Sequence, residues 1–240
     1  MNIFLVKYQT LITIQNVFGI IYNYISLIKM KVELIDKMGN DLSVVNAARV
    51  SYAKVKDDFD TSDEKLIKYL AEHKHWSPFA HTFLSFRIKA PVFVARQLVK
   101  HQVGLVWNEE SRRYISDEPE LYSLTRWREK PKSSKQGSGE SMTIDNELQI
   151  QITLHQQNSL NLYHKLLDSN VAPEQARAVL PQSMFTNWIW SGTLFAFARV
   201  CGLRLDAHAQ KETQDVARQI DIHCQDSFPI SWKYLTKNKT

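Results

Sequence analysis

The stretch 84–90 most limits the folds open to this chain. Leu84, Phe86 and Ile88 alternate with Ser85, Arg87 and Lys89, the pattern of a strand with one dry and one wet face. Pro91 follows at once and suits the first turn of a helix, where its missing N–H breaks no bond. At the helical period Arg96, Gln97, Lys100 and His101 then share one polar arc, flanked by apolar Val92, Ala95, Leu98 and Val99. Gly104 is expected to end that helix. A second polar cluster follows at Asn108, Glu109, Glu110, Ser111, Arg112, Arg113 and Tyr114. Cations, acceptors and hydroxyls bracketed by apolar sequence point to a site for a polyanionic ligand rather than to a solvated face.

Composition narrows the partners. The 240 residues suffice for one large domain or two small ones, and 44% hydrophobic content is ordinary for a globular core. A net charge of +5 and a pI near 9.1 suit an anionic substrate. The cations interleave with apolar helices and form no continuous stripe, which disfavours a nucleic-acid partner. Cys201 and Cys224 have no metal or redox spacing and sit in apolar helical sequence, so they read as buried free thiols in a reducing, cytoplasmic compartment. Residues 8–28 are uncharged and about as long as a membrane span, but Gln9, Thr10, Thr13, Gln15, Asn16, Asn23 and Ser26 dilute them, and no cleavage site follows a basic start. Residues 1–29 therefore read as an N-terminal extension of the domain 30–240. A membrane anchor is the disfavoured alternative.

The rest of that domain reads as mixed strands and helices without an internal repeat. Residues 32–35 alternate as a short strand, Gly39-Asn40 turns, and 44–50 suit a helix ending near Ser51. Residues 61–64 (TSDE) match a capping box. His73, His75 and His81 lack the flanks of a metal site, and no metal is expected. Residues 129–140 (EKPKSSKQGSGE) should be a mobile surface loop, its lysines either solvated or set over a ligand entrance. Leu148, Ile152, His155, Ser159, Leu162 and Leu166 mark a long amphipathic helix with His155 packed on its stripe. Pro173 starts another helix, in which Arg177 is the one charge in an apolar run. Residues 184–190 read as a strand with Thr186, Trp188 and Trp190 on one face, Ser191-Gly192 as a turn, and TLFAFARVCGLRL as an apolar helix ending at Gly202. Asp206 is placed to cap a final helix with the stripe Val216, Ile220 and Cys224.

Residues 91–114 also resemble the signature of the flavin-dependent thymidylate synthases, R-H-R-x-x-S-x-x-x-x-S-x-R preceded by an Arg-Gln pair. Arg96-Gln97 stands in place, His101 is the central histidine, and Ser111 and Arg113 close the motif after Asn108-Glu109. Lys100 and Gln102 replace the two outer arginines, Leu105 replaces the first serine, and the spacing is one residue longer. HWSPFAH resembles the family's H-x-S-P-F-E-H segment with Ala80 for the glutamate, and ARAVLP and LRLDAHAQKET resemble two later segments. The resemblance covers nearly all of 30–240.

It implies an α+β fold, a mostly antiparallel sheet flanked by helices, and reductive methylation of dUMP to dTMP. FAD would be the redox cofactor, with NADPH and methylenetetrahydrofolate as cosubstrates and a homotetramer as the working form. Arg204 would be catalytic, favouring negative charge as it develops on the uracil ring. Gln97, Lys100, Glu109, Glu110, Ser111, Arg112, Arg113, Arg177 and Arg204 would hold dUMP, while His101, Gln102, Lys100, Glu109, His81 and Arg199 would face FAD. For Ser51 the family's active-site serine and a plain helix-end hydroxyl both stand. For His81 a flavin contact and a core histidine both stand, and for Arg177 a phosphate contact and a surface arginine. The alternative function is a related flavoenzyme passing a different one-carbon group to a pyrimidine nucleotide.

Overall fold

The alternation over 84–90 forms strand β2 (Phe83–Pro91), with Leu84, Phe86, Ile88 and Ala90 at 0% exposure on its dry face. This computed structural model describes residues 30–115, 117–123, 126–132 and 137–236; the expected extension over 1–29 and part of the 129–140 loop lie outside the described residues. On one side β2 pairs with β1 (Lys31–Met38), and on the other with β6 (Phe185–Thr193). β3 (Leu105–Glu109) adds to β6, completing an antiparallel sheet of order β1-β2-β6-β3. A second small sheet pairs β4 (Trp127–Arg128) with β5 (Ser141–Met142). The fold is the α+β arrangement that the resemblance implies.

Helices cover the dry face. α3 (Val92–Leu98) contributes Val94, Ala95 and Leu98, α6 (Leu194–Arg204) contributes Leu194, Phe197 and Val200, and α7 (Lys211–Ser227) contributes Val216, Ile220 and Cys224. Each large apolar side chain so buried adds about 1.5–3 kcal/mol. A second cluster of Val44, Val45, Ile67, Leu70 and Phe79 joins α1 (Asp41–Arg49), α2 (Thr61–Glu72) and the turn Ser77–His81. α8 (Pro229–Thr236) packs on both groups through Trp232 and Leu235. α4 (Asn146–Asp168) and α5 (Pro173–Ala176) lie outside the sheet's core.

Several local expectations change, each for a physical reason. Pro91 is the last residue of β2, in extended geometry, and α3 starts one residue later. α3 ends at Leu98, and Gly104 (φ 76°) instead turns the chain into β3, a strand too short to show a pattern. Ser191 and Gly192 stay in β6, where Gly192 faces Leu84 on one side and Leu105 on the other. A Cβ there would collide with the Gly104 carbonyl and the Leu105 side chain, so this glycine serves a close approach of backbones rather than a turn.

α6 runs through Gly202 to Arg204. Asp206 does not cap α7; it takes the backbone N–H and Nδ1 of His208 instead. The box before α2 sits one residue earlier than expected, with Asp60 as cap and Asp63 as its partner. On α4 the buried residues are Ser159, Leu160 and Tyr163, while Leu148, His155 and Leu162 are exposed, because the helix meets the rest of the chain mainly through the segment 173–179. In that segment only Ala176 is buried, so Arg177 stands on an exposed turn rather than in a buried helix.

Replacing Gly192 by alanine should lower stability by about 1–3 kcal/mol, since packed backbone must move to admit the methyl group. Urea unfolding of Gly192→Ala against the wild type measures this, and an unchanged midpoint would contradict the packing described.

Candidate active site

The turn from β2 into α3 determines where the motif residues stand. The first donors of α3 are taken by the chain before β6: Val92 N–H bonds the Met184 carbonyl at 2.9 Å and Phe93 N–H the Gln182 carbonyl at 3.1 Å. With Val94, Ala95 and Leu98 anchored in the core, Gln97 is left half-buried and Arg96 exposed. His101, just past the helix, is also half-buried. It meets Arg204, the last residue of α6.

Arg204 Nε donates to His101 Nε2 at 2.9 Å, and Arg204 Nη2 donates to the Gln97 carbonyl at 3.4 Å. A guanidinium has donors only, so His101 Nε2 must be the unprotonated nitrogen of a neutral ring. The surroundings favour that state: burial first, then the charges of Arg204 and Arg199, lower the His101 pKa. Burial also lowers that of Arg204, which as a guanidinium remains charged at neutral pH. Arg204 is thus held by two uncharged acceptors, neither of which cancels its charge.

A chain of polar groups continues from Gln97. Its Nε2 donates to Gln210 Oε1, and its Oε1 accepts from Thr213 Oγ1 at 3.1 Å. Gln210 Nε2 donates to Glu212 Oε2 at 3.0 Å. Glu212, only 4% exposed, is forked by Arg128 Nη2 at 2.7 and 2.9 Å. Gln210 and Glu212 lie in a recognisable segment of the sequence. Arg128 and Thr213 carry no sequence signal, since only the fold brings them to this cluster.

The other expected residues lie in separate groups within one chain. At the end of β3, Glu109 accepts from Thr186 Oγ1 at 2.7 Å and Trp107 Nε1 at 3.1 Å, rather than pairing with a cation. Glu110 accepts from Asn187 Nδ2 at 2.8 Å, and its backbone N–H is spent on the Asn187 carbonyl. Ser111 Oγ accepts from Arg113 Nε at 3.3 Å, and Arg113 lies over the Tyr114 ring. Arg112 is buried and donates to the Asp117 carbonyl.

Lys100 and Gln102 are exposed, and Lys100 makes no ion pair among the described residues. Arg177 donates from Nε to the Glu174 carbonyl at 3.3 Å. Ser51 and His81 are exposed. Arg199 lines a cavity of about 460 Å³ whose wall includes Lys74, Phe195, Ala198, Gly202, Leu203 and Tyr234. Cys201 and Cys224 are both buried, and burial pushes the Cys224 thiol well up. Among the described residues no group of His, Cys, Asp or Glu is placed to hold a metal, and no helix is long and apolar enough to cross a membrane.

The family described as "thymidylate synthase complementing protein" matches residues 33–230. A flavin-dependent thymidylate synthase of Thermosipho africanus is 39% identical over 85% of this chain and 90% of its own length. One from Thermus thermophilus is 38% identical over 84% of this chain and 73% of its own length. Among solved structures, the UMP/dUMP methylase PolB of Streptomyces cacaoi, bound with 5-Br dUMP, aligns with a TM-score of 0.78. It is 31% identical, over 87% of this chain and 95% of its own length. Fold and relatives together define the class as an α+β methyltransferase. Within that class, the chain belongs to the flavin-dependent thymidylate synthase family.

The neutral state of His101 gives stability a pH dependence. A histidine with a lowered folded pKa binds fewer protons folded than unfolded, so its contribution is full above about 6.5 and is lost as pH falls through the lower folded value. Urea midpoints taken at pH 8 and pH 5 should therefore drop more for the wild type than for His101→Gln. Equal drops would contradict the neutral imidazole.

Proposed function

We propose that this protein converts dUMP to dTMP by reductive methylation, with methylenetetrahydrofolate as one-carbon donor, FAD as redox cofactor and NADPH as reductant. The observation that carries the reading is Arg204, fixed by neutral His101 and the Gln97 carbonyl with its charge uncancelled. C5 of uracil is a poor nucleophile, and a cation at the ring carbonyls favours the negative charge that activates it. Addition of a protein thiol to C6 is the other known route. Cys201 donates to the Ala217 carbonyl inside the core, and Cys224 is buried with a raised pKa, so neither is an available thiolate.

Gln97, Lys100, Glu109, Glu110, Ser111, Arg112, Arg113 and Arg177 complete the dUMP site in this reading, the arginines suiting forked contacts to phosphate. Their distribution over several separate groups fits a site assembled from more than one copy of the chain. The exposed Leu148, Ile150, Leu154 and Leu162 on α4 supply apolar surface for the homotetramer. The cavity at Arg199 suits a planar, anionic group: its wall carries Phe195, Ala198 and Leu203, with Arg199 and Lys74 as cations. Arg199 there, with His101, Gln102, Lys100, Glu109 and His81, would hold FAD. The bound flavin supplies the hydride chemistry, and the protein supplies binding, orientation and charge.

One second reading has an observation behind it. The solved relative is a UMP/dUMP methylase, so the ribonucleotide UMP is an alternative substrate for this chain. Anaerobic incubation of purified protein with methylenetetrahydrofolate, NADPH and either dUMP or UMP, followed by product mass, separates the two. The expected product is dTMP; failure of both nucleotides to gain a methyl group would overturn the reading. Arg204→Ala should lower kcat by at least about tenfold in a folded protein, and near-normal turnover would remove Arg204 from catalysis.

A further inference from the structure

The polar chain behind Gln97 has a direction, and that direction originates at a residue remote from the motif. Glu212 is buried and held by Arg128, and a carboxylate offers acceptors only. Gln210 must therefore turn its NH2 toward Glu212, which leaves its Oε1 facing Gln97. Gln97 in turn must present its NH2 to Gln210 and its carbonyl to the Thr213 hydroxyl. A primary amide in isolation has two orientations of nearly equal shape. Here the ion pair at the far end selects one.

We propose that Arg128, acting through Glu212 and Gln210, is a positioning residue that makes the Gln97 amide read uracil and reject cytosine. The proposal rests on the reading above, in which Gln97 meets the nucleotide. With its internal bonds made, the amide keeps one N–H and one carbonyl lone pair for a ligand. Uracil offers a matching pair, the N3–H donor and a neighbouring carbonyl acceptor. Cytosine offers the reverse, an N3 acceptor beside an amino donor. Against a fixed amide, cytosine in the same pose would set donor against donor and acceptor against acceptor. Against a freely flipping amide both bases would pair equally well. Discrimination between them therefore requires the fixed orientation, and in this chain the ion pair of Arg128 with Glu212 provides it.

The test is the ratio of dCMP to dUMP dissociation constants, measured by calorimetry on the FAD-loaded protein. The wild type should prefer dUMP by about a hundredfold or more. Glu212→Gln keeps the shape but can donate or accept, and it should narrow that ratio by about tenfold. Arg128→Met leaves the buried Glu212 without its cation, which favours a protonated carboxyl that can donate as well as accept, and it should narrow the ratio similarly. Arg128→Lys, which keeps the charge, should retain more of it. If Glu212→Gln does not fold, Arg128→Met and Gln210→Leu, which removes the link between Glu212 and Gln97, carry the same comparison. A purely structural role would weaken both nucleotides together and leave the ratio alone. A ratio within about twofold of wild type in folded variants overturns the proposal while leaving the methylation reading intact. Failure of the wild type to bind dUMP at all would instead remove the methylation reading.

Discussion

A guanidinium held by a neutral imidazole is the interaction on which the site depends. Had Arg204 been paired with a carboxylate, its charge would be spent inside the protein. His101 Nε2 and the Gln97 carbonyl fix its geometry without neutralising it. The arrangement requires His101 to stay uncharged, and burial with the nearby charges of Arg204 and Arg199 keeps it so. The surroundings that hold Arg204 in place thus also maintain its acceptor.

The sheet brings these groups together. β2 and β6 are antiparallel neighbours with Pro91 opposite Phe185 and Phe83 opposite Thr193, so α3 and α6 leave the sheet from opposite ends. Their C-terminal residues nonetheless meet, where helix carbonyls lack internal partners and favour a cation. Gly192 lets β3 approach β6 closely at the turn through Gly104, which brings the chain carrying Glu109 to Arg113 back across the sheet. A polar site in this fold therefore rests on apolar layers that fix each helix before any ligand arrives.

Much of this was legible in the sequence because it follows from periodicity. Leu84, Phe86 and Ile88 are buried as their alternation requires, and so are Thr186, Trp188 and Trp190. Val216, Ile220 and Cys224 lie in the core as their spacing requires. Glycine was harder to read, because the same residue serves a turn at Gly104, a close strand contact at Gly192 and the helix interior at Gly202. The motif drew attention to Gln97, His101 and Arg204, but their bonds span about a hundred residues of sequence, and no spacing rule predicts them. Arg128 was invisible for the same reason: only the folded chain sets it against Glu212. The α4 helix formed as expected but its stripe held only in part, with Ser159 buried and Leu148, His155 and Leu162 exposed, because helical period says which residues share a face, not which face finds a partner.

The most direct test of the central claim is a crystal structure of the protein with dUMP bound. The account predicts an Arg204 guanidinium nitrogen within hydrogen-bond distance of a uracil carbonyl, with the Nε bond to His101 retained. A uracil ring seated elsewhere, or an Arg204 that leaves His101 to pair with a carboxylate, would contradict it.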